Sequence, residues 1–185
     1  NSSKFKKNDR VYVSAHPLGV KSNGGLSEYI TVPEKWVEKL PRNFTSKEII
    51  SIGTSGFTAI EAFIKAIKII RKFKNKPVLV TGATGNVGIF LILLLNKLGI
   101  NIETVTSKNQ KAKELKKLGV FKTSLLNKFM MNPEFPMLNE RYSIIFDNLG
   151  GEMLSIGLKY LIKNGSLISI GNVLGNTSKI NLLPL

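Results

Sequence analysis

The chain has 185 residues, 43% of them hydrophobic, and its 27 Lys and Arg residues against 12 Asp and Glu residues give a formal net charge of +15. This composition supports a packed core and excludes a disordered tail. The lack of Cys excludes disulfides and thiolate metal sites, and one His cannot form a site built from several imidazoles. The longest near-continuous apolar run, Val87–Leu95, is too short for a membrane span, which takes about 20 residues. We therefore predict a soluble, cytoplasmic protein with no membrane partner.

The positive charge does not indicate a nucleic-acid partner. Only four of the basic residues are Arg, the type that pairs with bases and phosphates through two parallel hydrogen bonds. The densest basic cluster falls in the string FTAIEAFIKAIKIIRKFKNK, which has helical periodicity. In this helix a basic face should lie in solvent, and the opposite face should be buried. The residues predicted to be buried are Ile60, Ile64, Ile67 and Ile70.

The first third of the chain reads as short elements separated by loops. Two strands, Arg10–Ser14 and Leu26–Val32, are joined by a Gly-rich loop. A short helix follows at Ser46–Ser51, and Thr54–Gly56 is expected to break the chain before a long helix that ends near Phe73.

Strands and helices then alternate, with glycines at several connections. The strands are predicted at Pro77–Thr81, Ile100–Thr106, Phe121–Leu125, Ser143–Asp147 and Ser166–Ile170. The helices are predicted at Val87–Leu98, Gln110–Leu118 and Glu152–Leu161. Residues 127–142 read as irregular. This alternation predicts an α/β fold with a parallel sheet covered by helices on both faces.

The string VLVTGATGNVG takes a buried strand directly into a glycine turn and then a helix. In the register of the dinucleotide-binding fingerprint, Ala83, Gly85 and Gly88 occupy the three glycine positions. The backbone amides of Gly85, Asn86 and Val87 would then reach a pyrophosphate at the N-terminus of the helix. The alternative is a tight strand-to-helix turn that uses glycine for structure alone.

The end of the second strand of this unit distinguishes NAD from NADP. An NAD site carries an acidic residue there for the ribose hydroxyls, whereas this chain reads Thr106, Ser107 and Lys108. The nearest acid, Glu103, lies inside the strand. Two hydroxyls and a cation suit a 2′-phosphate, so we predict NADPH as the cofactor. The alternative is an ordinary polar strand end with a surface lysine.

Three further features carry a family resemblance: NGGLSEYITV (Asn23–Val32), IGTSGFTAIEA (Ile52–Ala62) and the late pair IIFDNLGG and GSLISIGN. In this order around the glycine turn they resemble the zinc-independent branch of the medium-chain dehydrogenase/reductases, within it the quinone oxidoreductase-like and acrylyl-CoA reductase group. The resemblance implies that residues 1–40 are the end of a GroES-like β domain. It implies that residues 41–185 are a Rossmann NADP-binding domain, doubly wound and incomplete at its C-terminus, in a piece of a longer protein.

The resemblance also assigns cofactor contacts residue by residue. They are Thr84, Gly85, Asn86 and Val87 for the pyrophosphate, Thr106, Ser107 and Lys108 for the 2′-phosphate, and Asn172 for the nicotinamide side. Lys108 stands where the family usually has Arg, so the two-pronged hydrogen bonding is lost. Asp147 and Gly150 match a strand-end motif. Thr54 stands where zinc-dependent relatives carry a Cys, so no metal is expected.

The activity implied by the resemblance is NADPH-dependent reduction of a conjugated carbonyl, an enoyl-CoA such as acrylyl-CoA or a quinone, by a homodimer. No catalytic residue is assigned. One alternative is an extended short-chain dehydrogenase, whose catalytic pair would have to be Tyr160 and Lys163 on a late helix. The other is a non-catalytic nucleotide-binding module.

Overall fold

The computed structural model describes residues 3–14, 16–107, 109–131 and 139–181. The chain divides into two compact units, Asn1–Phe57 and Thr58–Leu185. The domain boundary placed after residue 40 stays a prediction.

The first unit contains a small antiparallel ribbon. Strand β1 (Val11–Val13) pairs with β2 (Val37–Lys39), and a single 3-10 turn at Glu34–Trp36 precedes β2. The strand predicted at Leu26–Val32 is wrong, since this stretch forms no ladder. Its apolar side chains at positions 26, 29 and 30 are exposed, so this segment has no buried face to support a strand.

The longest helix, α1 (Ser46–Lys72), begins with a reciprocal cap. The Thr45 backbone amide donates to Glu48 Oε2 (2.8 Å), and the Glu48 amide donates to Thr45 Oγ1 (3.2 Å). The break predicted at Thr54–Gly56 is wrong by position. The helix is interrupted at Gly53, with φ 45° and ψ −153°, a conformation that only glycine adopts easily.

The buried face of α1 also differs from the prediction. Its apolar contacts with the sheet come from small residues: Ala59, Ala62 and Ala66 are buried, together with Ile70. Ile60 and Ile64 are exposed instead. By length and composition alone α1 could cross a membrane, but a core helix passes the same test.

The second unit is built on a five-stranded sheet. Its strands are β3 (Val78–Val80), β4 (Ile102–Thr106), β5 (Lys122–Leu125), β6 (Tyr142–Asp147) and β7 (Leu161–Ser169). The remaining helices are α2 (Asn86–Lys97), α3 (Asn109–Lys117), α4 (Leu126–Phe129) and α5 (Gly151–Leu158). All neighbouring strands are parallel, in the order β5-β4-β3-β6-β7. The predicted α/β fold is confirmed, with two corrections: α4 lies in the stretch expected to be irregular, and β7 begins where α5 was expected to continue.

Two apolar layers cover the faces of the sheet. Alternate residues of β3 point to opposite sides, Val78 and Val80 into one cluster and Leu79 into the other. The first cluster joins the sheet to α1, α2 and α3, and the second joins it to α4 and α5. The carboxyl ends of all five strands therefore meet at one edge between two helical layers.

Candidate cofactor site

The glycine turn lies where the order of the sheet reverses. From β3 the chain moves outward to β4 and β5, then returns to the other side of β3 for β6 and β7. In open α/β sheets, ligands bind in the crevice at the carboxyl ends of the strands beside this switch point. The turn after β3 and the loop after β6 border that crevice.

Glycines make the turn tight enough to bring α2 close to β3. Gly82 has φ 57°, and the Gly85 amide donates to the Gly82 carbonyl (3.0 Å). A Cβ added to Gly88 would lie 2.7 Å from both the Ala83 Cα and the Gly82 carbonyl oxygen, atoms of the backbone that cannot rotate away. The fingerprint glycine at position 88 therefore serves the close approach of helix and turn.

The N-terminus of α2 is open to a ligand. Its N-cap residue, Gly85, has no side chain to cap the first amides, and the first turn contains no acidic residue. The amides of Asn86 and Val87 begin the helix, where N–H groups lack intrahelical partners and the helix dipole favours an anion. The Gly85 amide, expected to contact the pyrophosphate, is instead bonded within the turn.

The predicted 2′-phosphate residues lie at the same edge of the sheet. Thr106 ends β4, and Ser107 follows it with an exposed side chain. Lys108 lies outside the described residues. Asn172 follows β7 and is exposed, and its carbonyl accepts a hydrogen bond from the Gly175 amide (3.0 Å). The structure thus brings the three predicted groups to one edge, but their contacts with a cofactor stay predictions.

Glu103, the one acid of β4, is held elsewhere. Its side chain is 3% exposed and is paired with Arg141, whose Nε donates to Oε2 (3.0 Å) and whose Nη2 donates to Oε1. The Tyr142 hydroxyl also donates to Oε2 (3.0 Å). Burial and the nearby carboxylate raise the pKa of Tyr142, and the hydrogen bond to Glu103 raises the pKa of Arg141. Glu103 is therefore not placed to bind a ribose beyond the strand end.

Two further residues at this edge, Thr81 and Asn148, were not predicted from the sequence. Thr81 is fully buried at the end of β3, and its hydroxyl donates to Asp147 Oδ1 (2.6 Å). The Asn148 side-chain amide donates to the Thr81 carbonyl (2.7 Å). Only their positions beside the glycine turn and the strand-end Asp147 could have indicated them.

The pair considered for a short-chain dehydrogenase is not assembled. Tyr160 follows α5, and its ring packs on Phe129 with centroids 4.7 Å apart. Lys163 lies in β7, not on a helix. Both stand near the amino end of β7, whereas the glycine turn lies at the carboxyl edge, so this alternative finds no geometric support.

Strand order, glycine turn and open helix terminus together define a Rossmann-type dinucleotide-binding domain. No protein-family model matches the chain. It is 31% identical over 184 residues to the putative quinone oxidoreductase YhfP of Bacillus subtilis and 28% identical over 186 residues to the acrylyl-CoA reductase AcuI of Ruegeria pomeroyi. Each match covers 100% of this chain but 56% of the relative, so the chain spans about half the length of these curated relatives.

Solved structures agree with this assignment. The crystal structure of Bacillus subtilis yhfP with NAD bound matches with a TM-score of 0.90 and 31% identity over 100% of this chain and 56% of that one. Escherichia coli YhdH with bound NADPH matches with a TM-score of 0.90 and 25% identity over 98% of this chain and 55% of that one. The predicted resemblance is confirmed: the chain is homologous to the quinone oxidoreductase and acrylyl-CoA reductase group of the medium-chain dehydrogenase/reductases.

Proposed function

We propose that this chain is the cofactor-binding part of an NADPH-dependent oxidoreductase that reduces a conjugated carbonyl compound, an enoyl-CoA or a quinone. The observation that carries the cofactor assignment is the open N-terminus of α2 at the switch point of the sheet. The preference for NADPH rests on the end of β4, where Ser107 and Lys108 stand in place of an acid and Glu103 is buried in an ion pair.

The residues at this edge fit a dinucleotide. The amides of Asn86 and Val87 would hold the pyrophosphate, the Thr106–Lys108 segment would hold the 2′-phosphate, and Asn172 would border the nicotinamide. When bound, NADPH would supply the hydride for the β-carbon of the substrate. The chain's share is to bind and orient it, because correct placement of reacting groups contributes much of the rate. The homodimer and the cytoplasmic location are proposed with this function, from the resemblance alone.

NADH is the second candidate cofactor. The yhfP structure, at 31% identity, holds NAD, whereas Salmonella enterica yhdH, at 26% identity, is in complex with NADP. The two cofactors differ by the 2′-phosphate, so the residues after β4 decide between them.

The substrate is tested on the complete protein by following the oxidation of NADPH with acrylyl-CoA and with a quinone, with products identified by mass spectrometry. Saturated acyl-CoA or hydroquinone formed in proportion to the NADPH consumed supports the proposal. Binding of NADPH with no turnover of either class, or of further enoyl thioesters, would contradict it and favour a non-catalytic nucleotide-binding module.

A further inference from the structure

The residue before the glycine turn is unusually well anchored. Thr81 directly follows β3, and its amide, carbonyl and hydroxyl groups all bond to residues at the end of β6 or just after it. Its amide donates to the Phe146 carbonyl (3.0 Å), and its carbonyl accepts from the Asn148 side chain (2.7 Å). Its hydroxyl donates to Asp147 Oδ1 (2.6 Å) and accepts from the Asn148 amide (2.9 Å). The start of the turn is thus tied to Phe146 and Asp147 at the end of β6 and to Asn148 just after it.

Asp147 also accepts hydrogen bonds from the segment that leads into α5 and from just beyond the end of β7. Its carboxylate is buried and accepts from the amides of Leu149 (3.2 Å) and Gly150 (3.0 Å) as well as from Thr81. Its main-chain carbonyl accepts from the amide of Ile170 (2.8 Å), just after β7. A buried carboxylate with three donors is well satisfied. Without the Thr81 hydroxyl, Oδ1 would keep only the longer bond from the Leu149 amide, and a buried charge that loses a donor is destabilised.

The spacing at this point leaves little room for adjustment. A Cβ on Gly82 would lie 3.0 Å from the Asn148 Cβ, and a Cβ on Gly171 would lie 2.5 Å from the Asn148 carbonyl oxygen. The turn after β3 and the loop after β7 therefore both pack closely against Asn148 in the loop after β6. A shift of β3 against β6 would move the first amides of α2 relative to the loop that contains Asn172.

We propose that Thr81 and Asp147 are positioning residues for the cofactor. Their hydrogen bond holds the carboxyl ends of β3 and β6 in register, so that the N-terminus of α2 presents its amides to the pyrophosphate. This inference rests on the proposed nucleotide site and adds to it two residues that do not touch the ligand. The 2′-phosphate site at the end of β4 lies outside this network and should not depend on it.

The test uses the full chain with Thr81→Val, which keeps the shape of the side chain and removes its hydroxyl. Thr81→Ser keeps the hydroxyl and removes only the methyl group. Thr104→Val is the matched control, because Thr104 is equally buried in the same sheet and its hydroxyl bonds only to that of Thr123 among the contacts described (3.0 Å). NADPH binding is measured by nicotinamide fluorescence, and 2′-AMP, which lacks the pyrophosphate, is measured by calorimetry.

We expect Thr81→Val to weaken NADPH binding about tenfold or more, the loss of roughly one strong hydrogen bond, with 2′-AMP binding within about twofold of the parent. Thr81→Ser and Thr104→Val should bind both ligands like the parent. Unchanged NADPH binding by Thr81→Val, or equal weakening of the binding of both ligands, would overturn this inference and leave the proposed function intact. A parent chain that binds neither ligand would overturn the proposed function, and this inference with it.

Discussion

The ion pair between Glu103 and Arg141 is expected to be a major determinant of stability, and replacement of Arg141 by Met tests this directly. The variant keeps a long apolar side chain that can still cover the edge of the sheet. It removes two charge-assisted hydrogen bonds and leaves the Glu103 carboxylate with the Tyr142 hydroxyl as its one remaining partner among the described contacts.

The expected loss of stability in Arg141→Met follows from the unequal burial of Glu103 and Arg141. Loss of one partner from a buried ion pair costs about 3–5 kcal/mol, because the other charge stays desolvated. Glu103 is 3% exposed but Arg141 is 41% exposed, so water can partly replace the guanidinium. We therefore expect Arg141→Met to lower the free energy of unfolding by about 3 kcal/mol, the lower end of that range. The double variant Glu103→Leu/Arg141→Met removes both charges and leaves only the neutral Tyr142 hydroxyl without its acceptor, so it should lose about 1–2 kcal/mol, less than the single variant.

Urea denaturation followed by circular dichroism measures all three chains under identical conditions. The single variant should be clearly less stable than the double variant. If Arg141→Met unfolds within about 1 kcal/mol of the parent, the carboxylate is hydrated after all. Glu103 would then be available to a ribose.

Three other outcomes follow from the structure. Gly88→Ala should weaken NADPH binding about tenfold and cost about 1–3 kcal/mol of stability by overpacking. Gly25→Ala, with open space around its Cβ, should change neither binding nor stability. Calorimetry measures the binding of NADPH to the two variants, and urea denaturation measures their stability. Because burial raises the pKa of Tyr142, the folded chain keeps a proton that the unfolded chain releases above about pH 10. The free energy of unfolding should therefore fall as the pH rises above about 10. Urea denaturation should show a less steep fall in Tyr142→Phe. Trp36, the only Trp in the sequence, stacks on His16 with ring centroids 5.1 Å apart, so His16→Leu should change the Trp36 fluorescence spectrum of the folded chain. The spectra of parent and variant should coincide once both are unfolded in urea.

The parallel sheet could be predicted because its signals are local. Apolar runs such as PVLVT and SIIFD, each followed by glycine and a helical pattern, indicate strand and helix without reference to the rest of the chain. Because the central strands are apolar on both faces, helices are expected to cover both sides of the sheet. The turn between Gly82 and Gly88 was predictable for the same reason, since close backbone approach requires glycine at definite positions.

The errors arose where local pattern and burial disagree. Leu26–Val32 contains β-branched and aromatic residues typical of strands, yet Leu26, Tyr29 and Ile30 are exposed. In α1 the isoleucines read as the buried stripe, but the small residues Ala59, Ala62 and Ala66 lie against the sheet, where they allow close packing. The polar network around Thr81 depends on a contact across 66 residues, which no single sequence discloses.

The most direct test of the nucleotide site is a titration of the full chain with NADPH and with NADH, repeated on Lys108→Ala. Charge-assisted hydrogen bonds of about 1.5–3 kcal/mol each should favour NADPH about ten- to a hundredfold in the parent. That preference should largely disappear in the variant, while NADH binding stays unchanged. Equal affinities for the two nucleotides in the parent, or binding of neither, would contradict the assignment of the β4 end as a 2′-phosphate site.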